Sequence, residues 1–487
     1  MEHKISKNSL FLFGIFFLAI FIRFFRLSAL MAFGGDVARD FLVGRDITFK
    51  GIIPLVGSPS SVPWLYQGPL FTYILGIVLY FSKYNPLSVA YFTAFMGGVS
   101  VLAVYFLGKT FFSPKVGLLT AFFYSTSPLV VIFDRYPYHQ SLISLFTIVF
   151  FLSLYRALEG REIFFVLSAL ILGLLMQLEL SNLVLLPILL VLLIDFRRQI
   201  KLNYLLFSLI AFFATWLPKI IYDFTSGFTQ TLGFIAWFFH KLLPFGPWSE
   251  GQVPLPGLFS RFQLIFDYLS KIVFWPSPTI TVLILVISSF VVFKNSGFSL
   301  ANRKKNPQIY LLLLWVLFPL LGFVIQGSPS LAYVPALFAL PILLTGCLFE
   351  KLIKKKLFLT AFFFLVIFNG LFLVKNDYFV LTGNNETSFK KDYNMGQSFK
   401  IRQEMAQYIV RSSKGENYNL IPLGSYADFP SGKLDLLYLT WYFGHEPSEQ
   451  KEKIKYFVYP KSEPVNIKRA NAMEKKDFQY MSIIKSN

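Results

Sequence analysis

Charged side chains are concentrated in GGDVARDFLVGRDI, residues 34–47, directly after the first apolar segment of the chain. Asp36 and Asp40 are four residues apart, so a helix would place both carboxylates on one face, with Arg39 beside them. In one interpretation, these charges belong to an amphipathic helix on a membrane surface and simply face water. In the interpretation that we favour, the Gly-Gly turn fixes Asp36 where the chain leaves the bilayer, and a carboxylate there serves as a general base or a metal ligand.

A second concentration of reactive side chains occurs in DRYPYHQ, residues 134–140, between two apolar runs. An acid, an Arg, two Tyr and a His within seven residues are unusual for a plain turn. Arg135 can bind a phosphate, His139 can act as an acid, a base or a ligand, and we place Tyr138 with them in substrate binding. The alternative is a surface turn in which Arg135 extends its charged end to water and the other polar groups cap helices.

Three further positions are candidates for the wall of a substrate pocket. Gln67 and Pro69 lie in PWLYQGPL, a Pro/Gly break before an apolar run, which fits either a sugar or lipid pocket or an aromatic anchor at the membrane surface. Tyr333 precedes another apolar run that contains Pro, where it can hydrogen-bond a headgroup phosphate or act as an ordinary interfacial Tyr. Glu179 is a lone acid at a helix end, and the sequence does not decide its role.

The segments that must position these residues are apolar and numerous. Hydrophobic residues make up 55% of the 487 positions and charged residues 15%, whereas a soluble domain has about a quarter charged residues. A water-soluble globule is therefore excluded, and we expect an all-α polytopic membrane protein with about 11–13 transmembrane helices. The apolar runs are 9–28, 87–108, 117–133, 141–156, 162–178, 181–195, 204–222, 276–293, 310–326, 334–348 and 357–375, with an ambiguous twelfth at 68–82.

The basic residues predict how the chain is oriented in its membrane. If the run 68–82 does not span, seventeen Lys and Arg residues fall on one face, which the positive-inside rule makes cytoplasmic. This distribution favours eleven spans in the cell membrane, with the N-terminus inside and the C-terminal tail outside. The net charge of +19 therefore sets topology, and no nucleic-acid partner is expected.

The orientation divides the chain into two domains. Residues 1–375 form the membrane module, which includes a first outer loop with juxtamembrane helices at 29–86 and an outer interfacial segment at 223–275. Residues 376–487 have mixed polar composition and predict a small extracytoplasmic domain that is α/β or rich in loops.

Several kinds of site are missing from the sequence. There is no GxxxxGK[ST] motif, so nothing indicates an ATP-driven pump, and there is no HExxH motif. The single Cys347 excludes internal disulfides and thiolate metal clusters. The energy that drives any reaction should therefore arrive in the membrane.

Five segments resemble a known superfamily. They are GGDVARDFLVGRDI, GPLFTYIL, VYFLGKTFFSPKVGLLTAFFYSTSPL, DRYPYHQSL and LPKIIYDFTSGFTQT, in this order. Across residues 10–375 the chain is similar to bacterial GT-C glycosyltransferases related to protein O-mannosyltransferases and lipid A aminoarabinose transferases. The resemblance implies a GT-C fold and transfer of a sugar from a polyprenyl-phosphate donor, among membrane lipids, to an acceptor that is a lipid, a glycan or a protein.

The resemblance also implies roles for individual residues. Asp36 matches the acid of the first loop, the general base or metal-site acid, and Asp40 replaces a second acid whose usual position holds Val37. Many relatives carry an acid near the position of His139, so the requirement for a divalent ion such as Mg²⁺ or Mn²⁺ stays open. Tyr333 matches a position near the lipid phosphate, which Arg135, together with Arg39, would stabilise.

One competing interpretation is a non-catalytic assembly or scaffold protein, which would not need the turn that carries Asp36 and Asp40. The other is a polytopic lipid or polysaccharide transporter, or a flippase. Such a protein would carry charged or Pro/Gly-broken segments at the middle of the membrane. Here the ionisable residues cluster at helix ends, which favours the transferase.

Overall fold

A helical bundle followed by a small α/β domain makes up the computed structural model, which describes residues 7–60, 62, 64–196, 200–242, 257–326, 330–353, 357–375, 398–428, 430–463 and 472–486. The bundle helices are α1 Lys7–Phe24, α2 Leu27–Leu30, α3 Gly35–Phe49, α4 Leu70–Phe81, α5 Pro86–Phe111, α6 Pro114–Thr126, α7 Pro128–Asp134, α8 Ile143–Leu158, α9 Ile163–Leu178, α10 Leu186–Phe196, α11 Leu202–Thr225, α12 Thr229–Leu242, α13 Leu258–Val273, α14 Pro278–Ser296, α15 Pro307–Gln326, α16 Ala339–Leu352 and α17 Leu357–Lys375. Short 3-10 helices cover His139–Leu142, Leu180–Leu185 and Leu331–Leu337.

Fewer helices than predicted are long enough to cross a membrane. Among the described residues, six helices meet the length and hydropathy of a span, or eight if two bent pairs each count as one. The pair α6 and α7 bends by 67°, because Pro128 forces Ser127 out of the helical conformation, to φ −66° and ψ 122°. Four further apolar helices are shorter. The all-α membrane fold is confirmed, and within the described residues the predicted run 117–133 forms a bent pair of helices rather than one unbroken helix.

The ambiguous run 68–82 becomes α4 and lies along one side of the bundle. Just before this helix, the backbone N–H of Gly68 donates to the Gln177 carbonyl at 2.9 Å. Just after it, the carbonyl of Tyr84 accepts a 2.7 Å hydrogen bond from the hydroxyl of Tyr438 in the C-terminal domain. We name the side of the bundle that contacts the C-terminal domain the domain side. α4 has 12 residues and is among the apolar helices shorter than a span, which agrees with the prediction that 68–82 does not span.

Two contacts inside the bundle hold its helices in register. Trp315 stacks on Phe151 with ring centroids 3.7 Å apart. The buried guanidinium of Arg23 on α1 pairs with Asp134 on α7 at 2.7 Å. α5 passes this ion pair at Gly97, where a Cβ atom would collide with the Asp134 carboxylate, so the close approach requires glycine.

The C-terminal domain is a four-stranded sheet with two helices, which confirms the predicted small α/β domain for its described part. The elements are α18 Phe399–Ser413, β1 Tyr418–Pro422, α19 Leu434–Tyr442, β2 Ile454–Pro460, β3 Ala472–Phe478 and β4 Met481–Ser486. The strand order is β1-β2-β4-β3, with β1 and β2 parallel and the other pairs antiparallel. A fully buried ion pair between Arg402 and Asp435, 2.8 Å long, joins α18 to α19. Residues 376–397 of the predicted domain lie outside the described residues.

The C-terminal domain packs directly on the segment that follows α1. The backbone N–H of Phe399 donates to the carbonyl of Met31 at 2.8 Å. The Arg45 guanidinium of α3 lies 4.7 Å from the ring centroid of Trp441, and Tyr438 contacts the Phe41 ring of α3 edge-on. α3 is therefore fixed between the domain and the bundle.

The predicted interfacial segment 223–275 forms the helices α12 and α13 in its described part. Residues 243–256 lie outside the described residues. Phe259 at the start of α13 is largely exposed, whereas Ile265 and Ile272 are buried against the bundle.

Candidate active site

The two acids of α3 lie in different environments. The helix begins after Gly34, and a Cβ atom on Gly35 would collide with the carbonyl of Ser431, so only glycine fits where α3 meets the C-terminal domain. Asp36 is in the first helical turn, where the partial positive charge of the helix N-terminus favours a carboxylate. Its side chain is 61% exposed, whereas that of Asp40 is 4% exposed.

Arg39 lies between the two acids, as the helical spacing predicted. One guanidinium nitrogen donates to Asp36 at 3.1 Å and another to Asp40 at 3.2 Å. The second nitrogen also lies 3.4 Å from the Tyr138 hydroxyl, so α3 meets the DRYPYHQ segment here. The hydroxyl of Ser58 donates to the other oxygen of Asp40 at 2.6 Å.

Burial perturbs the titration of this pair. Loss of water raises the pKa of the Asp40 carboxyl, and the Arg39 charge and the Ser58 hydrogen bond oppose that rise without cancelling it. Burial lowers the pKa of Arg39, but the Asp40 carboxylate outweighs this effect, and the pKa of Arg39 is raised. Asp40 therefore takes up a proton at a higher pH than a solvent-exposed aspartate, while Arg39 stays charged.

A second group of polar side chains adjoins the first. His139 Nε2 lies 3.2 Å from one oxygen of Glu179, and the Gln67 side-chain amide donates to the other oxygen at 2.6 Å. All three side chains are buried. The predicted residues His139 and Gln67 thus meet at Glu179, whose role the sequence left undecided.

Sequence reasoning missed Lys219 and Ser58. The Lys219 ammonium donates to the Tyr66 carbonyl at 2.6 Å and interacts electrostatically with Asp223 and Glu179. A lysine within the apolar run 204–222 is itself a functional signal, since ionisable groups inside membranes are costly. Nothing in the sequence singles out Ser58.

The structure gives Arg135 a structural contact. One nitrogen of its buried guanidinium donates to the carbonyls of Ile22, Arg23 and Phe25 at 2.8–3.3 Å, where α1 ends. Basic side chains stabilise helix C-termini in this way. The burial of Arg135 is explained by this cap, and its contact with a substrate phosphate stays a prediction.

The other predicted residues border the two polar groups. The Tyr138 ring lies 4.1 Å from the His139 ring, measured between centroids. Pro69 is buried at the start of α4. Tyr333 lies in a 3-10 helix that packs against the two 3-10 helices beginning at His139 and Leu180.

The residues around Asp36 do not fit a divalent metal ion. Across the described part of the chain, no three His, Cys, Asp or Glu residues come together as metal ligands. The neighbour of Asp36 is the Arg39 guanidinium, whose charge competes with a cation. The metal role of Asp36 stays a prediction, and no step below depends on it.

Comparison with known proteins gives a match to one family model over part of the chain and a shared fold. Residues 66–222 match the family model described as dolichyl-phosphate-mannose-protein mannosyltransferase. No curated protein sequence matches significantly.

Two solved proteins show the same architecture. ArnT from Cupriavidus metallidurans, bound to undecaprenyl phosphate, superimposes with a TM-score of 0.63 at 10% identity, over 99% of this chain and 98% of ArnT. Its apo state gives a TM-score of 0.65 over the same shares. The oligosaccharyltransferase AglB from Archaeoglobus fulgidus, in complex with an inhibitory peptide and a dolichol-phosphate, gives 0.52 at 12% identity, over 90% of this chain and 64% of AglB. The chain therefore has the GT-C fold that the sequence resemblance implied.

Proposed function

We propose that this protein is a membrane glycosyltransferase that moves a sugar from a polyprenyl-phosphate donor to an acceptor lipid, glycan or protein. The observation that carries the proposal is the exposed carboxylate of Asp36 beside the Arg39 guanidinium, which also pairs with buried Asp40. The match of one family model and the shared fold with ArnT and AglB support the same reaction class.

The transfer needs a base and a cation, and α3 provides both. Asp36 removes the proton from the acceptor hydroxyl as its oxygen attacks the anomeric carbon of the donor sugar. The bond from that carbon to the phosphate oxygen breaks, and polyprenyl phosphate leaves with the electron pair. Arg39 stabilises the charge that develops on the phosphate. Attack from the side opposite the leaving group inverts the anomeric centre.

The buried acid acts indirectly in this scheme. Asp40 and Ser58 fix the Arg39 guanidinium before the substrate arrives, so the reaction needs little rearrangement of charge. Tyr138, His139, Gln67, Pro69 and Tyr333 complete the wall of the substrate pocket in our proposal.

We further propose that the domain side faces outwards from the cell membrane, because the positive-inside rule predicts that the basic loops are cytoplasmic. Single cysteines in a Cys347→Ser background test this orientation. A membrane-impermeant maleimide applied to intact cells should label Glu416→Cys in the C-terminal domain and spare Glu159→Cys. The reverse labelling pattern would overturn the orientation.

Release of free polyprenyl phosphate tests the reaction. The purified protein is incubated with a panel of polyprenyl-phosphate sugars and with lipid, glycan and peptide acceptors. We expect sugar-dependent release, reduced about 100-fold or more in Asp36→Asn, the range for removing a general base. The control Asp46→Asn changes an acid on the same helix that pairs with Arg45 and Lys50. It should retain activity.

Other outcomes of this assay have separate meanings. Equal release by wild type and Asp36→Asn would remove Asp36 from the chemistry. No release from any donor with any acceptor would contradict the transferase and favour the transporter. Loss of release on chelation, with recovery on adding Mg²⁺ or Mn²⁺, would support a metal requirement, and unchanged release would remove it.

A further inference from the structure

Glu179 is a buried acid whose two oxygens are both engaged. It lies between α9 and the next 3-10 helix, with 6% of its surface exposed. One oxygen accepts from the Gln67 amide at 2.6 Å, and the other lies 3.2 Å from His139 Nε2. Burial of a carboxylate is costly unless it is paired, so the contacts with Gln67 and His139 offset the cost of burying the Glu179 charge.

The loop that carries Gln67 is held rigidly. The backbone N–H of Gln67 donates to the Ser58 carbonyl at 2.8 Å, and the Gln67 carbonyl accepts from the N–H of Gly57 at 2.9 Å. The side-chain oxygen accepts from the backbone N–H of Leu180 at 2.9 Å. The side-chain NH₂ must therefore face Glu179, which fixes one carboxylate oxygen in place.

The contact with Glu179 determines where the His139 ring carries its proton. An ionised carboxylate only accepts hydrogen bonds, so Nε2 must be the protonated nitrogen. The His139 ring contacts the aromatic rings of Tyr138 and Phe71, and the Glu179 charge also interacts with the Lys219 ammonium. In the tautomer with its proton on Nε2, the Nδ1 atom of the neutral ring carries a free electron pair.

Nδ1 of His139 is a buried nitrogen that has no hydrogen-bond partner among the described residues. Buried polar atoms in folded proteins almost always bond to protein or to ordered water, so this atom has the capacity for one further hydrogen bond. A neutral Nδ1 accepts a hydrogen bond from a hydroxyl and cannot donate one to a phosphate oxygen.

We infer that Glu179 is a positioning residue: held by Gln67, it fixes His139 with Nε2 protonated, so that Nδ1 accepts a hydrogen bond from a substrate hydroxyl. The inference rests on the proposed transferase function. It adds a specificity contact to a sugar or acceptor hydroxyl, in the polar group that adjoins the Asp36–Arg39 pair proposed to perform the transfer.

A double-mutant cycle tests whether Glu179 acts through His139. Glu179→Gln keeps the volume but supplies one acceptor oxygen where Gln67 and His139 need two. We expect kcat/KM to fall about 10- to 100-fold, the range for partners that orient a functional histidine. His139→Gln should cause a similar loss, and the double variant should be no worse than His139→Gln alone.

Other results of the cycle would overturn the inference. If the fold-loss of kcat/KM in the double variant equals the product of the two single losses, Glu179 does not act through His139. Full activity in Glu179→Gln would show the same. The matched control Glu159→Gln changes an acid that pairs with Arg156 at a distant loop and should be unchanged. A raised KM for the donor or for the acceptor identifies which substrate provides the hydroxyl.

The tautomer of His139 gives a second test that needs no activity. The chain contains four histidines, so ¹⁵N-histidine labelling gives few NMR signals, and the His139→Gln variant assigns the one of interest. We expect protonation at Nε2 alone in the wild type, and loss of that pattern in Glu179→Gln. An imidazolium or a proton on Nδ1 would overturn the inference even if sugar transfer is established. The expected tautomer in a protein without transferase activity would instead count against the proposed function.

Discussion

Removal of the Ser58 hydroxyl should make Asp40 harder to ionise. This hydroxyl donates to the Asp40 carboxylate at 2.6 Å in a site where the side chain is 4% exposed. A hydrogen bond to a charged group contributes about 1.5–3 kcal/mol, and each ~1.4 kcal/mol is a factor of about ten. Ser58→Ala should therefore shift the equilibrium of Asp40 about 10- to 100-fold towards the protonated acid, which raises its pKa further.

The pH dependence of polyprenyl phosphate release measures this change. Protonated Asp40 no longer holds Arg39, so the acid limb of kcat/KM should move to higher pH in Ser58→Ala, with little change at alkaline pH. The pKa of Asp40 is higher in the folded protein than in the unfolded chain. Ionisation of Asp40 therefore lowers the free energy of unfolding as the pH rises through the range between these two pKa values. Ser58→Ala should therefore lower the Tm more at neutral pH than at acidic pH.

A matched control lies in the same loop. The Ser60 hydroxyl accepts from the backbone N–H of Val62 at 3.0 Å, so Ser60→Ala should leave the acid limb in place. An unmoved limb in Ser58→Ala, or one displaced to lower pH, would refute the idea that this hydroxyl stabilises the charged form of Asp40.

Two further predictions concern the scaffold. Asp435→Ala leaves the Arg402 guanidinium buried without its partner and should destabilise the C-terminal domain by about 3–5 kcal/mol, measured as faster proteolysis of that domain; unchanged resistance would contradict this. Gly97→Ala should lower the Tm of the detergent-solubilised protein, because the added methyl group collides with Asp134, whereas Gly14→Ala, with open space around it, should not. Equal Tm values for both would argue against the close approach of α5 to α7.

The sequence predicts the local part of the site better than its long-range part. Asp36, Arg39 and Asp40 share one helical face because their spacing alone determines it. Glu179 stayed undecided because its partners, Gln67 and His139, are 112 and 40 residues away. Such pairings depend on how the helices pack, and no pattern within one segment encodes them.

The same limit applies to Arg135 and to the spans. The carbonyls that Arg135 caps lie more than 100 residues away, so from the sequence it resembles a cation that is available to a phosphate. The run 117–133 has the hydropathy of a single helix, and hydropathy is insensitive to the bend at Pro128. The membrane fold could be predicted because it depends on the apolar composition of the runs, and a bend within a run leaves that composition unchanged.

The position of α3 links the chemistry to the C-terminal domain. One side of this helix carries Asp36 and Asp40, and its N-terminus and aromatic side chains fit against Ser431 and Tyr438. Any shift of the domain that moves α3 must change the affinity for substrate. By thermodynamic reciprocity, substrate binding must then change the stability of domain docking by the same free energy. In the proposed enzyme, occupancy of the site at α3 would therefore be registered as a change in how firmly the C-terminal domain docks.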